Sequence, residues 1–166
     1  MRTLFLFIGL LPLSAFSQST IKHPLSIFNN LVNKTWEINS QWNNGPAFKQ
    51  STSIEFALDS QIVITRTKGF IDKDQSQMGN RNHGVRQYNT KTNTIEFYEF
   101  DIFGGKTEGH VFSEGKNVVY QYQYGDAYIS EMWEYQNDST YQLIIGEYED
   151  SKWLKIYLKG ILKQSN

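Results

Sequence analysis

Apolar and polar residues alternate along most of this chain, and turn-forming residues interrupt the alternation at nearly even intervals between residues 34 and 162. The segments between the turns are rich in Ile, Val, Thr, Tyr, Phe and Trp, which pleated strands favour. Short strands at this spacing indicate either a sandwich or a closed barrel. We predict an all-β fold, a single up-and-down antiparallel β-barrel of about 8–10 strands. The turn signals lie at residues 43–46, 59–60, 79–80, 89–93, 104–105, 114–116, 125–126, 137–139 and 149–151.

A short N-terminal helix is predicted before the first strand. Over residues 24–32, apolar side chains including Leu25 and Phe28 recur at helical spacing, and Pro24 stands near the first turn. A helix this short gains stability only by docking its apolar face, so we expect it to plug one end of the barrel. The long polar stretch at residues 70–82 is either a flexible loop beside the barrel mouth or a plain solvated connection.

The first residues have the features of a signal peptide. Arg2 supplies a positive charge, residues 4–13 are an apolar stretch of about ten residues, and Ala15 and Ser17 are small. We therefore expect residues 1–17 to be removed and residues 18–166 to form one exported barrel domain, periplasmic or secreted. The alternative is an uncleaved membrane anchor, but a span needs about 20 apolar residues, so we expect none in the mature chain.

Composition limits the partners and the chemistry. The net charge of −1 becomes −2 without Arg2, and no basic stripe is present, so nucleic acid is not expected as a partner. There is no Cys, which excludes a disulfide and a lipoprotein anchor. The residues His23, His83 and His110 are scattered without a second ligand at a useful spacing, so no metal site is predicted. No phosphate-binding or hydrolase motif is present, and no cofactor is expected.

The hairpin at residues 125–126 determines which side chains point into the barrel. A two-residue turn with Gly first favours a type II′ hairpin, which pairs Tyr120 with Glu131 and Val118 with Trp133. Paired residues share a face, and the more apolar face should be the inner one. The inner face then carries Val118, Tyr120, Tyr122, Tyr124, Ile129, Glu131, Trp133 and Tyr135, and the outer face carries Val119, Gln121, Gln123, Tyr128, Ser130, Met132 and Glu134.

Glu131 is the unusual residue of that inner face. A buried acid is costly unless it is hydrogen-bonded or paired. One interpretation is a polar anchor for a ligand. The other is an acid near the barrel rim that reaches water or pairs with a structural Arg.

Arg86 is one candidate partner for such an acid. If residues 90–93 form a four-residue loop, Arg86 pairs with Phe97 and points inward together with Tyr88 and Glu99. A five-residue loop would turn Arg86 outward. We favour the inward arrangement.

Arg66 is ambiguous in the same way, because it shares a face with Ile62 and Ile64. An inward arginine could grip a ligand carboxylate through its two-pronged guanidinium group. It could equally form a structural pair with Glu99 or Glu131.

The last strands continue the same inner face. A three-residue turn at residues 137–139 pairs Tyr135 with Tyr141 and Trp133 with Leu143. Hydrophobicity places Leu154, Ile156 and Leu158 of the final strand inside, and Trp153, Lys155, Tyr157 and Lys159 outside.

The whole pattern resembles the calycin superfamily, which includes lipocalins and fatty-acid-binding proteins. The matching features are the short helix, Trp36 in the first strand, the run of antiparallel strands, and Trp133-Glu134. Lipocalin-like barrels begin with Gly-x-Trp, and here Asn33 or Lys34 stands where Gly would be expected. The chain is most similar to bacterial lipocalin-like domains of unknown function, over residues 24–163. The resemblance implies a barrel with an interior ligand site.

Two finer features of that superfamily are matched less well. Lys155-Ile156-Tyr157 is similar to the Arg-x-Tyr that grips the carboxylate in fatty-acid-binding proteins, but Lys replaces Arg and both side chains are predicted to face outward. Relatives that bind haem use a His on a late strand, and no His follows His110, so haem is not expected.

Three functions are compatible with the sequence. The leading hypothesis is an exported barrel that binds a small amphipathic or aromatic ligand inside, with no catalytic residue assigned. The first alternative is a lyase or isomerase that uses the interior pair of Glu131 and Tyr120. The second is a surface module that binds protein or glycan through Trp42, Trp153 and Tyr157, which requires a filled barrel. The predicted ligand-binding residues are Arg66, Arg86, Tyr88, Glu99, Tyr120, Tyr122, Glu131 and Trp133.

Overall fold

The computed structural model describes residues 23–165 as a closed antiparallel barrel of ten strands. Each strand pairs with its neighbour in the sequence, and the last strand pairs with the first, so the predicted up-and-down barrel is confirmed. The predicted signal peptide, residues 1–17, lies outside the described residues. The strands are β1 (Lys34–Gln41), β2 (Ala47–Ala57), β3 (Ile62–Phe70), β4 (Met78–Asn89), β5 (Thr94–Asp101), β6 (Lys106–Glu114), β7 (Asn117–Tyr124), β8 (Ala127–Asn137), β9 (Thr140–Glu149) and β10 (Lys152–Ser165).

The two hairpins that determine the inner face have the predicted registers. Residues 125–126 form a two-residue turn in which Gly125 has φ +60°, and Tyr120 lies opposite Glu131. Residues 90–93 form a four-residue loop that places Arg86 opposite Phe97. Both registers follow from local turn chemistry, because glycine and asparagine accept the left-handed backbone at little steric cost.

The polar stretch after β3 differs from its prediction. Residues 79–80 are not a turn but lie inside β4, which begins at Met78 opposite Phe70. The connection is therefore only residues 71–77, and it folds around Asp72, whose carboxylate accepts hydrogen bonds from the backbone N–H groups of Ser76 and Gln77. A local side-chain to backbone turn thus shortens the predicted loop.

One end of the barrel is covered by a 3-10 helix, Pro24–Phe28, shorter than the predicted 24–32. Leu25, Phe28 and Leu31 are fully buried, as a docked plug requires. Among the described residues, no helix is long and apolar enough to cross a membrane.

Trp36 joins this plug to the first strand. Its indole Nε1 donates to the carbonyl of Leu31 at 3.0 Å, and its ring meets Tyr141 and Trp133 edge-to-face with centroids 5.1 and 6.1 Å apart. Asn33, immediately before β1, has φ +57°. Asparagine accepts this left-handed backbone more readily than most other residues.

The final strand does not keep a single alternation. Leu158 and Leu162 are buried inside the barrel, but Leu154 is 65% exposed, so its predicted inward position is wrong. Irregularities in the pairing with β9, between Trp153 and Lys155 and again between Ile156 and Leu158, change the phase of the alternation. A bulge adds one unpaired residue and turns the following side chains to the other face.

Replacing Trp36 by Ala should lower the free energy of unfolding by about 3–5 kcal/mol, because it removes a buried aromatic ring and leaves a cavity under the helix. Urea denaturation of the variant measures this. Trp153→Ala is the matched control, since Trp153 is only half-buried and stacks on Tyr148 with centroids 4.7 Å apart; it should lose no more than about 1.5 kcal/mol. Equal losses in the two variants would contradict the plug assignment.

Candidate functional site

The barrel contains an internal cavity of about 270 Å³. The cavity begins at the end opposite the helix, where Trp42 and Gln75 border it, and reaches inward to Trp133 and Leu162. A closed barrel of about eight strands is just filled by its inward side chains. The ten strands observed here leave additional room.

The cavity wall combines aromatic and hydroxyl side chains. Aromatic rings of β2, β7 and β8 form part of it: Phe48, Tyr120, Tyr122 and Trp133. On β2 and β3, Thr52 and Thr67 share a hydrogen bond of 3.0 Å between their hydroxyl oxygens. Such a wall offers both ring stacking and hydrogen bonding to a guest.

Arg86 is the positive charge of the interior and is 4% exposed. Its guanidinium donates to Glu99 Oε1 at 2.5 Å, to Thr65 Oγ1 at 2.7 Å and to the Tyr120 hydroxyl at 3.3 Å. Burial alone would lower the pKa of Arg86, but Tyr120 and the Glu99 carboxylate outweigh burial and hold it above its usual value. Arg86 is therefore charged and engaged on three sides.

Gly84 creates the space for this pair. A Cβ atom at position 84 would lie 2.1 Å from the Arg86 Nη1 atom and 2.8 Å from the Glu99 Cγ atom. Both are closer than real Cβ contacts allow, so a side chain at Gly84 would displace the ion pair. Glycine is required here by close approach and not by its backbone angles.

Glu131 is the second acid of the interior, and no ion pair joins it to any described residue. Trp133 Nε1 donates to its Oε1 atom at 3.0 Å. Burial, with a smaller contribution from the charge of Glu99, raises the pKa of Glu131 to about 7, although the hydrogen bond from Trp133 and the charge of Arg86 act in the opposite direction. This carboxyl therefore changes charge near neutral pH.

Asn82 adds an unsatisfied acceptor beside the acids. Its Nδ2 atom faces Glu99 Oε2 at 3.5 Å, whereas its buried Oδ1 atom receives no hydrogen bond from the described residues. Buried acceptors of this kind are rare in native proteins, and one that borders a cavity is consistent with a missing donor there.

The structure brings together most of the predicted site. The cavity is bordered by Arg86, Glu99, Tyr120, Tyr122, Glu131 and Trp133. Tyr88 shares the inner face but lies at the helix end of β4, and its hydroxyl donates to Asn93 at 3.0 Å instead. Lys155 and Tyr157, suggested by the fatty-acid-binding pattern, do not border the cavity.

Arg66 does not point inward, so that alternative is wrong. It is exposed and pairs with Glu55 at 2.6 Å across the outer face of β2 and β3. The residues of β3 that face inward are Val63, Thr65 and Thr67, not Ile62 and Ile64. The pairing of β2 with β3 predicts this outward position, because Arg66 lies opposite Ser53, on the polar face of β2 that also carries Glu55.

Sequence reasoning missed the hydroxyl and amide residues of the site, among them Thr52, Thr65, Thr67 and Asn82. Threonine favours strands wherever it lies, so its position alone does not mark a site. Extending the β2–β3 pairing through the turn at residues 59–60 would have identified the threonines. Asn82 depends on the true start of β4, which the glycine at position 79 obscured.

Comparisons with known proteins identify no family. No protein-family profile matches the sequence, and no curated protein matches it either. Among solved structures, the chain is similar to the S-type phycobiliprotein lyase CPES from Guillardia theta, with 14% sequence identity, a TM-score of 0.48, and coverage of 84% of this chain and 89% of that chain. At this level of similarity the activity of that protein does not transfer.

Replacing Arg86 by Met should lower the free energy of unfolding by about 3–5 kcal/mol, because it leaves the partly buried Glu99 carboxylate without its partner. Arg66→Met is the matched control, since it breaks an Arg–Glu pair on the exposed surface, where such pairs contribute about 0–1 kcal/mol. Chemical denaturation of both variants at pH 7 gives the comparison. Similar effects would mean that the interior pair is solvated like the surface pair.

Glu131 should make the protein less stable as the pH rises. Its pKa is about 7 in the folded chain against 4.5 in the reference state, so the folded chain holds the proton more tightly. The stabilisation of the folded state that Glu131 contributes is fully present below about pH 4.5. It is lost as the pH rises to about 7, a change of about 3 kcal/mol at most in the free energy of unfolding.

Glu131→Gln tests this dependence. The stability of the variant relative to wild type should increase by up to about 3 kcal/mol between about pH 4.5 and pH 8, because the amide stays neutral. Denaturation curves at several pH values measure it, with Glu134→Gln as the control on the outer face of the same strand. A constant difference across this range would show that Glu131 does not titrate there.

Proposed function

We propose that this protein is an exported, calycin-like barrel that binds a small molecule with an aromatic body and a polar end in its interior. The observation that carries the proposal is the cavity of about 270 Å³, whose wall combines aromatic rings with Arg86, Glu99 and Glu131. Polar and charged groups that converge on one cavity, beside aromatic rings, can orient and hold a ligand. A protein that needed only a stable core would gain nothing from buried charges in this position.

The size of the cavity supports a compact ligand. Its volume is about 270 Å³. That is near the lower end, about 300 Å³, of pockets for drug-sized molecules. A molecule of one or two rings fits this volume, whereas a long acyl chain would also bring methylene groups against Thr52, Thr67 and Arg86.

Export is the second part of the proposal, and it depends on the signal-peptide features of residues 1–17. We expect the mature chain to begin at Gln18. The intact mass of protein recovered from the periplasm or medium of its host tests this; recovery of the full-length chain from the cytoplasm would contradict it.

Catalysis is the alternative that one observation favours, namely a carboxyl group whose pKa is about 7 beside Tyr120. Such a group can accept and return a proton at neutral pH. If the barrel is a lyase or isomerase, Glu131→Gln should bind substrate and stop turnover. If it is a carrier, the same variant should change only binding or stability.

The surface-module hypothesis is less compatible with this geometry. It requires a filled barrel, whereas Trp42, one of its proposed contact residues, borders the cavity and packs edge-to-face on Phe48 at 5.4 Å.

Filling the cavity should abolish binding of a small aromatic probe. Thr52→Phe places a ring into the cavity, whereas Ser53→Phe makes a similar change on the next residue, which faces outward. We expect indole, measured by NMR titration, to bind wild type and Ser53→Phe but to bind Thr52→Phe at least tenfold more weakly. Equal binding to all three proteins would place the indole site outside the barrel.

A further inference from the structure

We infer that the polar end of the ligand is a cation, a protonated amine or a related group, held by the Glu131 carboxylate between the aromatic rings of the cavity. The inference rests on the proposed function and names the ligand class of that same site. It follows from the balance of charges and hydrogen-bonding groups inside the barrel.

The interior acids outnumber the interior cation that faces them. Arg86 and Glu99 neutralise each other at 2.5 Å. Glu131 has no ion-pair partner among the described residues, and its Oε2 atom receives no hydrogen bond from them. Glu131 therefore offers an unpaired carboxylate to a positive charge, whereas the buried cation Arg86 is already paired with Glu99.

Lys49, Arg81 and Asp101 also border the cavity. Lys49 is exposed and lies an odd number of residues from the inward-facing Thr52, so its side chain is on the outer face of β2. The other two charged groups are engaged at the mouth of the cavity. Arg81 donates to the carbonyl of Phe70 and stacks over Phe103, with its guanidinium carbon 5.2 Å from the ring centroid. The Asp101 carboxylate accepts the backbone N–H groups of its own turn, from Phe103 at 2.9 Å and Gly105 at 2.7 Å. Neither group is free to compensate Glu131.

The aromatic rings around Glu131 favour the same kind of guest. Tyr120 and Tyr122 lie on the neighbouring strand, and both meet Phe97 edge-to-face with centroids 5.3 and 5.9 Å apart. The Arg86 guanidinium carbon already lies 5.0 Å from the centroid of the Tyr120 ring, so Tyr122 and Trp133 are the rings that a cationic guest would use. Trp133 donates its N–H to Glu131 and borders the cavity with its ring. Faces of Trp and Tyr attract cations, and rings combined with a carboxylate recognise ammonium groups.

Asn82 provides a further acceptor on the cavity wall, next to Glu99. Its Oδ1 atom is without a donor among the described residues, and an ammonium group has three N–H donors to share between acceptors. A ligand carboxylate could not use this Oδ1 atom, and it could use Glu131 only as the protonated acid. It would have to compete with Glu99, Thr65 and Tyr120 for Arg86.

The ionisation of Glu131 gives the inference a distinct pH signature. The groups that face Glu131 are Arg86 on β4, Glu99 on β5, Tyr120 and Tyr122 on β7, and Trp133 on its own strand. Because a cation binds the ionised acid, its affinity should increase about tenfold per pH unit below the pKa of about 7 and then level off. A neutral guest should lack this dependence.

Three indole compounds that differ only in the end group test the inference on the mature chain. Tryptamine has an ammonium, tryptophol a hydroxyl and indole-3-acetate a carboxylate. By titration calorimetry at pH 8 we expect tryptamine to bind at least tenfold more tightly than either. At pH 6 its binding should release close to one proton, and that of tryptophol none.

Two variants distinguish the effect of the Glu131 carboxylate on binding from the effect of the cavity as a whole. Glu131→Gln should weaken tryptamine at least tenfold and change tryptophol less than threefold, whereas Glu134→Gln on the outer face should change neither. A thermal melt checks that each variant is folded.

Tighter binding of indole-3-acetate than of tryptamine would overturn the inference and make Arg86 the residue that holds the ligand. Equal binding of tryptamine and tryptophol would overturn it as well. If none of the three compounds binds, both the proposed function and this inference fail.

Discussion

The pairing of β1 with β10 closes the sheet, and the other features of this molecule depend on that closure. Trp36 lies opposite Gln164 in the joining ladder, and every strand then has two hydrogen-bonded neighbours. Closure removes the exposed edges that an open sheet would present. It also fixes the interior volume, because ten strands form a wider barrel than inward side chains can fill. The helix and Trp36 fill one end, and the remaining space is the cavity.

A polar interior is tolerated because its groups form a connected set. Arg86 is bonded to a carboxylate on β5, a threonine hydroxyl on β3 and a tyrosine hydroxyl on β7, which lies three strands away. The bond to Glu99 is possible because Gly84, its cross-strand partner, has no side chain. Such a network resists rearrangement, since the loss of one partner leaves another buried group unsatisfied. It holds the rings of Phe97 and Tyr120 at fixed positions under the guanidinium group.

Glu131 is not hydrogen-bonded to this network, and its contacts support a binding role better than a catalytic one. Its hydrogen-bond partner is Trp133, whose indole N–H can donate but cannot accept a proton. A proton-transfer site needs a group that exchanges protons with its acid. The Tyr120 hydroxyl is the nearest such group in the pairing, but it already accepts a hydrogen bond from Arg86. A carboxyl group without an ion-pair partner among the described residues is instead what a carrier of cationic molecules requires.

The sequence by itself determined the parts of this structure that local chemistry controls. Alternation and turn residues predicted the strands, Gly125 set one hairpin, and the loop at residues 90–93 set the other. Those two registers were sufficient to place Arg86, Tyr120, Glu131 and Trp133 inside, because a register fixes the face of every residue in a strand.

The tertiary structure decided what no single hairpin contains. The choice of Glu99 and not Glu131 as the partner of Arg86 depends on how three strands, β4, β5 and β8, are placed in the barrel. The outward position of Arg66 depends on the polar face of β2. The bulges that expose Leu154 arise from matching β10 to β9 along a curved wall, which no local pattern encodes. The cavity itself, and with it the isolation of Glu131, is a consequence of closing ten strands into a ring. The volume enclosed depends on how many strands close the barrel, and that number is fixed only when the first strand meets the last.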